Sequence, residues 1–151
     1  DGGKITLDAG NGQNELYLGF YAARNGGELS YTGGTGVDLI DINKEAAQNG
    51  GKVTFDLGND EAADVIAFWK SAGNDDGTVI IQNFDAGGNG VEPEDTMIFE
   101  KIGTVDGITI TQESADDVRI ESADPFISLT VKDANAGDFD VSLSGGELLI
   151  N

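Results

Sequence analysis

Apolar and polar residues alternate along this chain in short, evenly spaced runs. Lys4-Ile5-Thr6-Leu7, Glu28-Leu29-Ser30-Tyr31, Lys52-Val53-Thr54-Phe55 and Thr78-Val79-Ile80-Ile81 each place every second residue on an apolar face. That period of two predicts half-buried β-strands, with Ile5, Leu7, Leu29, Tyr31, Val53 and Phe55 pointing inward. A second set follows each of the first three after a Gly/Asn/Asp loop: Glu15-Leu16-Tyr17-Leu18, Leu39-Ile40-Asp41-Ile42 and Val65-Ile66-Ala67-Phe68. Corners rich in alanine come next: Ala22-Ala23-Arg24-Asn25, Ala46-Ala47-Gln48-Asn49 and, less closely, Ser71-Ala72-Gly73-Asn74.

The units repeat. Asp1-Gly2-Gly3, Asn25-Gly26-Gly27 and Asn49-Gly50-Gly51 open successive units at steps of 24 residues, and Asp76-Gly77 is a looser fourth start 27 residues on. Such a period points to a solenoid, because one unit cannot bury its apolar face alone and a stack of units can. The expected fold is all-β: a parallel β-roll or β-solenoid of about four coils over residues 1–103. Residues 104–151 form a β-rich cap within the same domain. The competing reading is a β-sandwich of regularly spaced hairpins, which the recurrence at 24 disfavours.

The loops carry the candidate chemistry. Gly33-Gly34-Thr35-Gly36-Val37-Asp38-Leu39-Ile40-Asp41 fits the calcium-binding nonapeptide G-G-x-G-x-D-x-U-x, with U a large apolar residue, at every specified position. Three other loops are degraded. Ala9 to Tyr17 has Ala9 for the first glycine and Asn14 for the aspartate. The third keeps Gly58, Asn59 and Asp60 before Asp64-Val65-Ile66. The fourth runs from Gly87 through an insertion at Glu92-Pro93-Glu94 to Asp95. Ca²⁺ takes about six to eight oxygen ligands, so an ion between stacked turns would draw half its cage from each. The expected ligands are the side chains of Asp38, Asp60, Asp64 and Asp95, the Asn14 carbonyl oxygen, and the backbone carbonyls of Gly10, Gly12, Gly34 and Gly36. An ordinary Gly/Asn/Asp turn is the plain alternative at each loop.

Composition agrees with a cation-attracting surface. The chain carries 28 acidic and 8 basic residues, a net charge of -20, which repels nucleic acid and anionic membranes. Bound Ca²⁺ would offset that repulsion and couple binding to folding. There is no Cys and no His, so disulfides, thiolate sites, His-dependent triads and imidazole acid-base chemistry are absent. Softer metals lack their ligands for the same reason. Twenty-three glycines against 2 prolines do not suit a linker or mucin-like segment, and the regular strands argue against disorder. No apolar stretch approaches a membrane span. The chain opens on Asp1 rather than Met, which points to a processed chain or a piece of a longer one.

In these loops and strands, from Gly2 to about Phe99, the chain resembles the RTX (repeats-in-toxin, haemolysin-type) calcium-binding family. The resemblance implies a Ca²⁺-loaded parallel β-roll in a secreted bacterial protein of the surface-layer, adhesin, protease, lipase or toxin kind. It also implies type I secretion information near the C-terminus. The 24-residue coil departs from the family's paired nonapeptides, and only one turn side carries the glycine signature. Ions are therefore expected along one edge only.

No P-loop, G-x-S-x-G or dinucleotide fingerprint is present, and the carboxylates sit in loops where turn or metal roles explain them; no enzyme activity is expected. The leading expectation is an extracellular, calcium-stabilised structural or self-assembling protein of a surface layer, filament or matrix. It would associate with itself or with other cell-surface components, without membrane insertion. The alternative is a calcium-dependent adhesin or carbohydrate-binding module, with Trp69, Tyr17, Tyr21 and Phe20 as the aromatic candidates. An ice-binding solenoid is a remote third, since Thr6, Thr54 and Thr78 make only a short, interrupted ladder.

Overall fold

Each 24-residue unit lays its strands directly on those of the unit before. The computed structural model describes residues 2–19, 22–69, 71–73, 76–87, 94–100, 102, 104–123 and 126–151. Strands β1 (Lys4–Asp8), β4 (Glu28–Thr32), β7 (Lys52–Asp56) and β9 (Thr78–Gln82) pair in parallel, with Ile5, Leu29, Val53 and Val79 in one row. On the opposite side β2 (Asn14–Leu18), β5 (Asp38–Ile42), β8 (Val65–Phe68) and β10 (Thr96–Phe99) do the same, with Leu16, Ile40, Ile66 and Met97 in one row. The protein is an all-β solenoid with a period of about 24, as the strand pattern predicts.

The unit starts explain the corners. Asn25, Asn49 and Asp76 sit at φ 53°, 50° and 62°, in the left-handed region that Asn and Asp tolerate best among residues with a Cβ. The alanine corners hold more structure than the sequence suggests. Ala23–Arg24 (β3) and Ala47–Gln48 (β6) pair in parallel as a short third side of the coil. Ala46, Ala47 and Ala72 are fully buried there, where a larger side chain would push neighbouring coils apart.

Residues beyond the fourth pair of strands close the far end. Strands β11 (Thr109–Gln112), β12 (Asp117–Ala123) and β13 (Phe126–Lys132) run antiparallel to one another, and β13 joins β9 in parallel. On the other sheet, β14 (Val141–Ser144) and β15 (Glu147–Ile150) form a hairpin whose β15 lies antiparallel to β10. The sheet orders are β1-β4-β7-β9-β13-β12-β11 and β14-β15-β10-β8-β5-β2. Phe139 of the cap stacks on Phe84 of the solenoid at 5.8 Å, tying the two parts together.

One core runs along the stack, through Leu29, Tyr31, Val53, Phe55, Ile66, Phe68, Phe99, Ile120 and Leu129. Phe68 and Phe99 stack across neighbouring coils with ring centroids 4.9 Å apart. The first coil is the exception. Ile5 and Leu7 occupy the positions of Leu29 and Tyr31, yet Ile5 is 54% exposed against 2% for Leu29. Sequence identifies both as inward residues; exposure depends on whether a coil lies above them, and among the described residues none does. Among the described residues no helix is long and apolar enough to cross a membrane.

Candidate functional site: an aspartate ladder along one turn edge

The turns between the two sheets stack closely enough that a Cβ would not fit. A Cβ on Gly58 would stand 2.0 Å from the Gly34 carbonyl oxygen, and one on Gly34 would stand 2.4 Å from that of Gly10. These glycines permit backbone to approach backbone, which is a separate requirement from the positive φ of 99° at Gly58. Gly33 serves a side chain instead. A Cβ there would lie 1.9 Å from Asp38 Oδ2, so the missing methyl group leaves the hollow into which the Asp38 carboxylate folds.

Asn14 and Asp38 are Cα partners at the starts of β2 and β5; Asp64 and Asp95 occupy the equivalent position, immediately before β8 and β10. Asp38, Asp64 and Asp95 are all but fully buried, at 0%, 2% and 2% exposure. Their carboxylates reach one coil back. Asp64 Oδ1 accepts from the Asp38 N–H at 2.7 Å, and Asp95 Oδ1 accepts from the Asp64 N–H at 2.8 Å. Asp95 Oδ2 accepts in addition from the Asp85 N–H at 2.8 Å. Such charge-assisted bonds to backbone donors are what make buried carboxylates tolerable.

The first step of the ladder differs. Asn14 Nδ2 donates to Asp38 Oδ1 at 2.8 Å and lies 3.1 Å from the Gly12 carbonyl oxygen and 3.2 Å from that of Gly10. Three oxygens that the sequence assigns to a metal thus converge on one amide nitrogen. The Asn14 amide, read from sequence as an oxygen ligand, presents its nitrogen here. Asp60 is engaged as well: Oδ2 accepts from the Gly36 N–H at 2.6 Å and Oδ1 from the Ala62 N–H at 2.8 Å.

Electrostatics follow from burial. Burial raises Asp64 to about 7, with the Asp95, Asp38 and Asp60 carboxylates adding to it and the Asp38 N–H opposing it. Burial likewise raises Asp95 to about 6, against the opposing N–H groups of Asp64 and Asp85. The Tyr31 hydroxyl is pushed up by burial and by the neighbouring Asp38 carboxylate. Tyr31 Oη and Asp38 Oδ2 are both buried, and neither makes a hydrogen bond of good geometry.

The nine residues expected to hold Ca²⁺ lie in the turns along one edge, where the Asn and Asp side chains among them hydrogen-bond to backbone N–H groups and to one another. Among the described residues no group of three acidic side chains is placed to hold a metal ion by its side chains alone. The side-chain oxygens of Asp60 and Asp95 already accept from N–H donors, as does Oδ1 of both Asp38 and Asp64. Asp38 Oδ2 is a buried carboxylate oxygen without a hydrogen-bond partner, whereas a Ca²⁺ ion takes about six to eight oxygens. Residues 88–93 of the fourth loop lie outside the described residues, as do Phe20 and Tyr21.

Two further features are aromatic candidates named from the sequence and a cavity that the sequence does not reveal. Tyr17 and Trp69 lie on the outer face of the same sheet, 60% and 39% exposed, and the Tyr17 hydroxyl accepts from Asn43 Nδ2. A cavity of about 380 Å³ opens between the solenoid and the cap, bordered by Phe84, Asp85, Asp116, Asp133 and Asp138. The acidic turns that border it are visible in the sequence, but their meeting across the cap is not.

No protein-family model, no curated protein and no solved structure matches the chain, so the likeness to calcium-binding repeats rests on the residues of the loops alone.

Proposed function

We propose that this protein is an extracellular structural module that assembles with copies of itself or with other surface components. The observation that carries this reading is the asymmetry of the stack. Among the described residues the cap closes one end, whereas at the other β1 and β2 have one neighbour each and Ile5 is exposed, an edge open to pairing with a further coil of this or of another chain. Exposed strand edges with inward-type apolar residues are templates for further pairing. The surface charge and the absence of Cys and His suit a scaffold better than a catalyst. Ca²⁺ enters as a competitor for the ladder: to bind along this edge it must displace the Asn14 amide and the N–H donors from their oxygens. The test is electron microscopy and sedimentation of the chain at high concentration, with Ca²⁺ and with a chelator. Polymers or sheets are expected; a monomer under all these conditions would overturn the proposal.

A second reading has its own support. Tyr17 and Trp69 on one flat sheet face suit the apolar faces of sugar rings, with Asp41 and Asn43 as neighbouring polar groups. Glycan-array binding abolished by Trp69→Ala, with folding intact, would favour an adhesin or carbohydrate-binding module.

A further inference from the structure

We infer that the outer face of the β14-β15-β10-β8-β5-β2 sheet docks a short extended segment of a basic partner protein, with an arginine or lysine of that segment seated over Ala67, beside Trp69 and the carboxylates of Asp41 and Glu100. This surface is separate from the strand edges, so its occupancy does not depend on self-assembly. A cationic peptide is also a different occupant from the sugar considered for the same face.

Alternation and register place this surface in the middle of the stack. Ile40, Ile66, Met97 and Leu148 are buried, so the residues beside them on each strand face outward. Leu39 is the Cα partner of Val65, and Asp41, Ala67, Ile98 and Leu149 form the next outward row. Trp69 comes after the buried Phe68, and the backbone N–H of Glu100 donates to the Phe68 carbonyl oxygen at 2.8 Å, which sets Glu100 beside Trp69 on the neighbouring coil. Leu39 and Trp69 are exposed. Ala67 has only a methyl group between Val65 and Trp69, and so leaves a dip in the face.

The charge around this apolar patch has one sign. The six strands of the sheet contain no Lys or Arg, whereas those of the other sheet carry Lys4, Lys52, Arg119 and Lys132. Glu15 is the Cα partner of Leu39, Asp41 is that of Ala67, and Glu100 and Glu147 border one hollow. Such a surface favours a cationic partner, and Trp is the ring over which an arginine or lysine is held best. A second copy does not supply that cation. Lys4, Arg119 and Lys132 pair with Glu28, Glu121 and Asp117 of their own chain, at 3.2, 3.1 and 2.7 Å. A neutral sugar would meet the Trp69 ring but not the charge.

Size restricts the occupant further. From Leu39 on β5 to Leu149 on β15 is three strand steps, about 14 Å, and from Val65 to Trp69 is four residues, about 13 Å. A standard protein interface covers about 800 Å² on each partner, several times such a patch. An extended peptide of four or five residues is about 13–18 Å long and spans it.

Trp69 is the chain's one tryptophan, so its emission reports on this face. Titrating the full chain with an end-blocked pentapeptide of alternating arginine and leucine should give a saturable change in that emission. The glutamate-for-arginine counterpart should give none. The apparent Kd should rise at least about fivefold between low salt and 1 M NaCl, where the screening length falls to about 3 Å. Asp41→Asn combined with Glu100→Gln should weaken binding about three- to tenfold, the scale of two exposed ion pairs. Glu28→Gln combined with Glu121→Gln, an equal loss of charge on the other sheet, should leave it unchanged. Circular dichroism checks the fold of each variant, and the salt dependence is read on the unaltered protein, so the test stands even where a variant misfolds. No saturable change, or one that both double variants weaken alike, would overturn the inference. Saturation by neutral cello- or chito-oligosaccharides in place of the peptide would overturn it in favour of the carbohydrate reading. Self-assembly is decided separately, by sedimentation.

Discussion

Asn14 donates from its side-chain nitrogen to Asp38 Oδ1 at 2.8 Å, across 24 residues of sequence and one step of the solenoid. A neutral amide thus stands where three oxygens converge, and its two N–H bonds are shared among them. Replacing it should reverse the logic. Asn14→Asp sets a second carboxylate against the buried Asp38 and removes the donor. In chelator it should lose about 1–3 kcal/mol of stability, the usual cost of an unsatisfied buried polar group. Millimolar Ca²⁺ should return much of that loss, as seen in paired thermal melts.

The unaltered protein should respond differently to the same ion. With Asp38 Oδ1, Asp64 Oδ1 and both oxygens of Asp60 and Asp95 engaged by N–H donors, Ca²⁺ gains little by displacing them. Its melting temperature in chelator and in millimolar Ca²⁺ should agree to within about 2 °C, which for a domain of this size is about 0.5–1 kcal/mol. Calorimetric titration should show no tight site. A large Ca²⁺-dependent rise would mean that the ion wins the ladder's oxygens.

Acid should stabilise the fold. Asp64 and Asp95 are raised to about 7 and about 6, above their ordinary value of 3.8. Between these values the native state binds more protons than the unfolded chain, so stability falls as pH rises. The contribution is fully present near pH 4, is lost through pH 6 for Asp95, and through pH 7 for Asp64. Chemical denaturation at pH 4.5 and pH 7.5 should therefore find the protein more stable at the lower pH. Asp64→Asn should flatten the upper part of that dependence.

Gly33 should be far less replaceable than Gly3. A methyl group at Gly33 meets Asp38 Oδ2 at 1.9 Å and the Leu57 carbonyl oxygen at 2.8 Å, whereas one at Gly3 meets nothing. Gly33→Ala should cost about 1–3 kcal/mol, in the range of overpacked interiors. Gly3→Ala should be neutral or stabilising by about 0.4–1 kcal/mol, through the unfolded chain. Urea midpoints of the two variants give the comparison.

Much of the architecture was legible in the residues, and the part that was not has identifiable causes. Alternation gives Leu29 and Tyr31 as inward, and the Asn-Gly-Gly starts give the register of β1, β4 and β7. Ile5 follows the same alternation but is exposed, because burial in a stack depends on position along it. The β3–β6 pairing was hidden because alanine signals neither strand nor turn strongly. The parallel partnership of β13 with β9 joins residues about fifty positions apart, such as Leu129 and Val79, and leaves no local trace. At the turn edge the repeat places the nine candidate positions on one side. What sequence cannot separate is an Asn that offers oxygen from one that offers hydrogen, as Asn14 does to Asp38.

The solenoid keeps count by strands, not by residues. Glu28 to Lys52 spans 24 positions, Lys52 to Thr78 spans 26, and Val65 to Thr96 spans 31, yet every rung stays in register. Length added between strands leaves the pairing untouched, whereas one residue added within a strand would turn its inward face outward. The added length lies after β7 and β9, so those turns are the natural graft sites, places where a foreign peptide could be carried while the stack beneath continues unchanged.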